Sequence, residues 1–134
     1  PDVVGGPGAD PGRLGEPGGV AFVSRDRVVV CDAGNRRVQV LDLEGRPRAE
    51  VPLPRAWEDY YARPQIAVLD DGRWLVTDPP AGLLWIVDGA EVSSVDLGAA
   101  DIQPAGLAIG GGALWITDLG GRVWRLGWPE GSEP

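Results

Sequence analysis

Three aspartates are the residues of this 134-residue chain whose type and spacing could do chemistry. Asp32, Asp78 and Asp118 each follow an apolar run and precede a turn. A carboxylate in that position can accept backbone N–H bonds from the turn, or it can pair with a nearby cation such as Arg37 or Arg122. The alternative is a cation site, because hard cations such as Ca²⁺ require several oxygen ligands. We expect convergence on a cation only if all three carboxylates face a central channel.

Nucleophilic and metal chemistry have few candidates in this sequence. The chain contains one cysteine, Cys31, and no histidine, so it lacks the usual general base, a common zinc ligand and the histidine of a hydrolase triad. Without a neighbouring histidine we predict that Cys31 is a buried, inert thiol. The glycine-rich residues 15–19 lack the lysine and the following helix of a phosphate-binding loop. The sequence therefore predicts no catalytic residue, no metal site and no cofactor, and a Ca²⁺-dependent enzyme built on carboxylates alone is the alternative.

An aromatic cluster at residues 55–63 is the best candidate for a binding surface. Trp57, Tyr60 and Tyr61 are spaced i, i+3, i+4, which predicts one turn of helix with the aromatic rings on the same side. One interpretation is a structural cap over a sheet edge. The other is a recognition surface, because tryptophan, tyrosine and arginine dominate binding hot spots and loops on rigid scaffolds often carry function. In the second interpretation the partner-binding residues are Trp57, Asp59, Tyr60, Tyr61 and Arg63.

These candidates must be positioned by a repeat that occurs three times. An apolar-Ala-apolar triplet occupies residues 20–22, 66–68 and 107–109, each time closely after a proline and before a turn, an apolar run and one of the three aspartates. The central alanines are separated by 46 and 41 residues, and the aspartates by 46 and 40. Both spacings match the ~40 to 50 residues of a β-propeller blade.

Each copy of the repeat predicts short antiparallel strands joined by turns rich in glycine, proline or asparagine. The expected strands are residues 20–22, 28–31, 37–41 and 49–53 in the first copy, 66–68, 74–77, 83–87 and 91–97 in the second, and 107–109, 114–117 and 122–126 in the third. The third copy has no fourth strand of its own. The N-terminal residues 2–4 form a spare β-prone segment instead.

The first copy resembles the NHL repeat. The match includes a D-x-x-N-x-R-[IV] core together with the proline, glycine and apolar positions before it. Its residues are Pro17, Gly19, Val20, Ala21, Val28, Val30, Asp32, Asn35, Arg37, Val38 and Val40. The resemblance implies a β-propeller that binds partners on a rim or channel surface, commonly as a scaffold or sensor module. The expected structural anchors of the three copies are Asp32, Asn35, Arg37, Asp78 and Asp118.

Three blades are too few to close a ring, because propellers have ~4 to 8 blades and an open arc exposes the apolar faces of its terminal blades. We predict an all-β fold of three four-stranded antiparallel blades, at about residues 14–54, 62–98 and 102–127, in a single domain spanning residues 1–134. A homodimer would complete a six-bladed ring through blade edges, with residues 2–5 of each chain supplying the last strand of the other chain's third blade. The alternatives are further blades in a longer parent protein, or an excised or engineered fragment.

Composition narrows the function classes. The formal net charge is -8 and all 12 basic residues are arginine, so we expect no basic surface for phosphates and no nucleic-acid partner. The apolar runs fall short of the ~18 to 20 residues of a membrane-spanning helix, which predicts no membrane insertion. The lysine-free composition is typical of a GC-rich bacterial genome, and nothing in the sequence indicates a compartment. We predict a non-enzymatic recognition or scaffold module for a protein or small-molecule ligand, with a Ca²⁺-dependent propeller hydrolase or lyase as the alternative.

Overall fold

The computed structural model describes residues 1–57 and 63–127 and shows an all-β chain. Within these ranges the strands form two four-stranded sheets, one three-stranded sheet and one two-stranded pair. The three large sheets are antiparallel, and their strands follow one another in chain order. The predicted all-β class with antiparallel sheets is therefore confirmed, and each predicted strand of the three copies overlaps a strand of the structure.

The N-terminal segment lies against the first large sheet. Its strands β1 (Gly6–Pro7) and β2 (Arg13–Leu14) form a short parallel pair. Arg37 donates from Nη2 to the carbonyl oxygens of Asp10 and Arg13, at 3.1 and 2.9 Å. These bonds fix the segment to the sheet that follows it.

Residues 1–5 form no strand in the structure. Val3 is 91% exposed and Val4 is 47% exposed. A strand needs a neighbour for its backbone hydrogen bonds, and residues 2–5 pair with no strand among the described residues of the chain. The predicted strand at residues 2–5 is thus absent from the isolated chain, and its exchange into a second chain stays a prediction.

The first sheet consists of β3 (Pro17–Ser24), β4 (Arg27–Asp32), β5 (Arg37–Asp42) and β6 (Pro47–Pro52). The two central strands are rich in valine, and β5 is buried along its whole length. Such continuous burial is typical of strands covered on both faces. β6 is mostly exposed and has proline at both ends, which suits an edge strand because proline cannot donate a ladder hydrogen bond.

The second sheet consists of β7 (Ile66–Val68), β8 (Trp74–Asp78), β9 (Leu83–Asp88) and β10 (Glu91–Asp96). Its outer strand β10 is exposed at every residue and has two serines flanked by valines between acidic ends. Gly82 directly precedes β9 and has φ 67°. Arg36 occupies the equivalent position before β5 and has φ 51°. Glycine adopts this left-handed conformation without steric cost.

The third sheet consists of β11 (Pro104–Gly110), β12 (Ala113–Asp118) and β13 (Val123–Gly127). Among residues 1–57 and 63–127, no strand pairs with the outer side of β13. Val123 at its start is 67% exposed. The fourth strand predicted to come from a second chain stays a prediction.

Two apolar clusters hold the sheets together. One lies between the first and second sheets and includes Val29, Val38, Val76 and Val87, and the other lies between the second and third sheets and includes Leu75 and Ile116. The inner strand β3 also lies beside β7, and β11 lies beside β7 and β8. The sheets are therefore arranged side by side, and the first strands of neighbouring sheets lie next to each other.

Close approach of β3 to β7 depends on glycine. A Cβ atom on Gly19 would lie 2.9 Å from Ile66 N and 3.0 Å from Gln65 Cα. Gly19 N instead donates to Pro64 O at 2.8 Å, which ties the first sheet to the second. No helix in the described part of the chain is long and apolar enough to cross a membrane.

Candidate functional site

Asp32 lies at the end of β4 and is fully buried. Arg37 Nε donates to it at 2.8 Å and Gly15 N at 2.7 Å. The Asn35 amide donates at 3.0 and 3.2 Å, and Gln39 Nε2 donates at 3.2 Å. This carboxylate therefore joins the N-terminal segment, the turn after β4 and strand β5 in one buried network, in which each hydrogen bond is strengthened by the low local dielectric.

Asp78 occupies the same position in the second sheet and is also fully buried. Its Oδ2 accepts hydrogen bonds from Trp57 N at 3.1 Å and from Trp85 Nε1 at 3.0 Å. No hydrogen-bond partner reaches Oδ1 from the described residues. The second residue after it is Pro80, which has no backbone N–H and so cannot make the hydrogen bond that Gly120 N makes to Asp118.

Asp118 completes the set in the third sheet. Gly120 N donates to Oδ1, while Arg122 Nη2 and Trp124 Nε1 both donate to Oδ2 at 2.9 Å. The backbone N–H of Gly120, the Trp124 indole and the Arg122 guanidinium hold the pKa of Asp118 below its ordinary value, although burial opposes them. The Arg122 guanidinium also lies 4.9 Å from the centre of the Trp124 ring.

In each sheet, the side chain at one equivalent position of the third strand donates a hydrogen bond to the aspartate. The donors are Gln39, Trp85 and Trp124, which follow their aspartates by 7, 7 and 6 residues. The sequence analysis did not identify this role of Trp85 and Trp124. One signal in the sequence could have shown it. In each copy a side chain with an N–H donor follows the aspartate at a nearly constant spacing.

The three aspartates stay in separate sheets and do not converge. Each one binds donors from its own turn, its own third strand or the segment that leads into its sheet. Among the described residues, no group of three or more His, Cys, Asp or Glu side chains could hold a metal ion. The contacts of the carboxylates are those of structural anchors.

Cys31 is fully buried in β4. Burial raises the pKa of its thiol to about 12, although a hydrogen bond from the Gly19 backbone opposes the shift. The thiolate is the reactive form of cysteine. A thiol with this pKa and no exposure is not a nucleophile at neutral pH.

Trp57 lies in the core and not on a surface. Its side chain is 4% exposed and packs in the cluster between the first and second sheets. Its Nε1 donates to Thr77 O at 3.0 Å, and its backbone has φ 53°, which is not helical. The recognition interpretation is therefore wrong for Trp57, because a large ring that finds both an apolar cluster and a hydrogen-bond acceptor is more stable buried. The interpretation of Trp57 as a structural cap agrees with these contacts.

The other members of the aromatic cluster fall in two groups. Asp59, Tyr60 and Tyr61 lie outside the described residues, so their predicted role stays a prediction. Arg63 is described, is exposed, and lines a cavity between two sheets. It is the predicted site residue that the structure places at a concave surface.

This inter-sheet cavity has a volume of about 500 Å³. Its lining residues come from two places in the second and third copies. One is the segment that leads into the first strand, together with the start of β11, and the other is the turn after the aspartate. The lining residues are Arg63, Gln65, Pro79, Pro80, Gln103, Ala105, Gly106 and Leu119. The volume lies within the range of ligand pockets, about 300 to 1,000 Å³.

Thr77 links the two sheets that form the inter-sheet cavity. Its Oγ1 accepts a hydrogen bond from Gln65 N at 2.8 Å and donates to Ala105 O at 3.1 Å. Both bonded residues line the cavity. The cavity walls are therefore fixed to each other before any ligand arrives, which lowers the entropy cost of binding.

The lining combines one cation, two amides and an apolar wall. Among the described residues, no carboxylate forms an ion pair with Arg63. Gln65 and Gln103 can each donate and accept hydrogen bonds. Leu119 is 64% exposed and lines the same cavity as the two prolines of the other turn. This set of groups can hold an apolar body and orient one oxygen-bearing group.

Comparison with known proteins supports the fold. Residues 14–41 match the NHL repeat, which confirms the resemblance of the first copy. A search of the curated protein sequences finds no match to the chain. The structure is similar to virginiamycin B lyase from Staphylococcus aureus, with a TM-score of 0.63 and 19% identity over 85% of this chain and 42% of that chain.

Two further solved structures give the same result. A streptogramin B lyase has a TM-score of 0.63 and 18% identity, over 85% of this chain and 41% of that chain. A catalytically inactive variant of the Staphylococcus aureus virginiamycin B lyase with quinupristin has a TM-score of 0.64 and 16% identity, over 84% of this chain and 41% of that chain. The chain thus spans about two fifths of the length of these proteins. At this identity the likeness shows the fold alone, antiparallel sheets arranged as in a β-propeller protein.

Proposed function

We propose that the chain is a non-catalytic recognition module of a β-propeller and that the inter-sheet cavity binds its ligand. The observation that supports this most directly is the cavity itself, about 500 Å³ in volume and lined by Arg63, Gln65, Gln103 and an apolar wall. The lining belongs to turns, to connecting segments and to the start of β11, all held by rigid sheets. Binding residues are commonly found on such segments.

The chemistry of the lining selects a ligand class. Pro79, Pro80 and Leu119 favour an apolar or aromatic body, and the Arg63 guanidinium favours a carboxylate. The chain has a net charge of -8, so Arg63, which forms no ion pair with a carboxylate of the described residues, is a local exception that gives specificity for an anionic group. We infer a small aryl carboxylate or the C-terminal end of a short peptide.

Calorimetric titration with matched ligands tests this function. Phenylacetate and N-acetyl dipeptides with a free C-terminus are compared with the uncharged carboxamide of each. We expect the carboxylates to bind more tightly than the carboxamides. Arg63→Ala should weaken carboxylate binding roughly tenfold and leave carboxamide binding nearly unchanged.

Arg25→Ala is the matched control for this titration. Arg25 is exposed in the turn between β3 and β4, at the end of the first sheet opposite to the aspartate. This variant should bind like the wild-type chain. The proposal is wrong if no ligand of either kind binds, or if Arg63→Ala leaves the preference for carboxylates intact.

A second candidate function is a Ca²⁺-dependent lyase or hydrolase. The names of the structural neighbours, virginiamycin B lyase and streptogramin B lyase, support only the lyase part of it. Such an enzyme requires several oxygen ligands around one cation. Thermal unfolding with Ca²⁺ and with a chelator separates the two functions. A midpoint that rises with Ca²⁺ and falls again with the chelator favours the enzyme, and an unchanged midpoint favours the recognition module.

A further inference from the structure

Two apolar faces of this molecule are exposed at opposite ends of the row of sheets. On the first sheet, Val20 is 63% exposed and Phe22 is 64% exposed, both on strand β3. On the third sheet, Trp115 is 40% exposed and Val123 is 67% exposed. The face of the third sheet contains a groove of about 280 Å³ that includes Thr117. Contiguous apolar surface of this kind marks an interaction site.

The register of the strands shows that these faces are unfilled sheet contacts. Relative to the aspartates, Val20 stands at the position of Ile66 and Leu107, and those two residues pack against the preceding sheet. Val123 stands at the position of Val38, which packs against the following sheet. The first sheet presents the face that normally meets a preceding sheet, and the third sheet presents the face that normally meets a following one.

A hydrogen-bond relay on the third sheet is also incomplete. In the second sheet, Thr77 Oγ1 accepts from Gln65 N and donates to Ala105 O of the next sheet. In the third sheet, Thr117 Oγ1 accepts from Gly106 N at 2.8 Å, and its own contact with Gly106 O is 3.5 Å long. That contact is too long for a good hydroxyl hydrogen bond, so the hydroxyl proton is available to a further carbonyl.

The first sheet holds the matching acceptor. Gly18 O stands at the position of Ala105 O, because Gly18 and Ala105 lie two residues before Val20 and Leu107 in the same register. The structure contains two contacts between sheets, and in both the carbonyl at this position accepts a hydrogen bond from the preceding sheet. Pro64 O accepts from Gly19 N, and Ala105 O accepts from Thr77 Oγ1. Gly18 O is thus the expected acceptor for Thr117 Oγ1.

We propose that the far face of the third sheet binds the first sheet of a second copy of this chain, and that two such contacts related by a two-fold axis join the chains. The second copy is the occupant because the same chain carries both halves of the contact, the incomplete relay with its groove and the exposed Val20 and Phe22. Gly12 and Arg13 bind the side chain of Gln39 on the outer part of the first sheet, so the contact is made by β3 with β11, β12 and the start of β13. This inference does not depend on the ligand cavity.

Sedimentation velocity of the full chain with paired charge variants tests the proposal. The wild-type chain should sediment with the mass of two chains. Phe22→Glu and Val123→Arg change side chains that are more than half exposed in one chain, so they should leave its fold intact by circular dichroism. Each variant alone should sediment as one chain.

The equimolar mixture of the two variants is the decisive sample. A mixed pair contains one unaltered contact and one contact that holds both the glutamate and the arginine, so the two new charges attract and the mixture should recover the mass of two chains. Leu43→Arg is the control, because Leu43 is 52% exposed in the turn between β5 and β6, away from both faces. It should keep the mass of two chains.

Three outcomes overturn the proposal. The first is a wild-type chain that sediments as one chain at every concentration, and the second is a pair that survives both single charge variants. The third is an equimolar mixture of the two charge variants that does not recover the mass of two chains. Thr117→Val should raise the dissociation constant roughly fivefold or more by removing the hydroxyl donor, and an unchanged constant would overturn the relay.

Discussion

Single residues decide how strongly each sheet is anchored. Asp32 is fully buried against Arg37, which is 8% exposed and also binds Glu50 and the N-terminal segment. Asp118 pairs with an arginine whose side chain is 46% exposed. Water screens the second pair much more than the first. The same repeat position therefore carries ion pairs of different strength.

Removal of Arg37 tests this difference. Arg37→Ala should lower the free energy of unfolding by about 3 kcal/mol, because it leaves a buried carboxylate without its cation. Arg122→Ala should cause a clearly smaller decrease, since its partner can still bind the Gly120 amide and the Trp124 indole. Urea denaturation of both variants measures the effect. Equal losses would contradict the assignment of Arg37 as the stronger anchor.

Acid should remove the contribution of Asp118. Its pKa in the folded chain lies below the ordinary value of 3.8, so its stabilising effect is complete above that value and is lost as the pH falls through the lower, folded pKa. Asp118→Asn should therefore be less stable than the wild type near neutral pH, and the difference should shrink near about pH 3. Urea midpoints at the two pH values measure it. A constant difference would contradict the pKa shift.

Cys31 should be protected from thiol reagents. Its thiol is fully buried and its pKa is raised to about 12. A colourimetric disulfide reagent should label no thiol in the folded chain at mildly alkaline pH and one thiol per chain in denaturant. Rapid labelling of the folded chain would show that the first sheet opens, or that the thiol is not in the cluster between sheets.

At the scale of elements, the strands were predictable and their junctions were not. The triplets and the valine-rich runs determine β3, β4, β7, β8, β11 and β12, because apolar and β-branched residues between turn signals leave few alternatives. Trp57 shows the limit of this reasoning. Its spacing to the tyrosines suggests a helix, but its burial depends on the position of the second sheet, which local sequence does not encode.

Glycine at the junction of the first two sheets gives a test at this scale. Gly19→Ala should lower the free energy of unfolding by about 1 to 3 kcal/mol, because the new Cβ would meet the backbone of β7. Gly110→Ala is the matched control at the end of β11, where no heavy atom lies within 4 Å of the added Cβ. Its stability should change by less than about 0.5 kcal/mol. Equal effects in thermal unfolding would contradict the close approach of β3 and β7.

At the scale of the whole molecule, the candidate site belongs to a pair of sheets and not to one repeat. Gln65 and Gln103 come from different copies and meet only because the second and third sheets pack together. The sequence alone therefore identified Arg63 as a candidate, but it did not indicate the cavity that Arg63 lines. The anchors were easier to predict, because Asp32, Asn35 and Arg37 stand close together in one motif and bind within it.

Amide chemical-shift mapping of the folded chain during titration with phenylacetate tests the central claim most directly. Recognition in the inter-sheet cavity predicts that the largest shifts cluster at Gln65, Gln103, Ala105 and Gly106, and that Arg25 at the far end of the first sheet does not shift. Shifts that are largest at the far ends of the sheets, or that are absent throughout, would contradict the assignment of this cavity as the binding site.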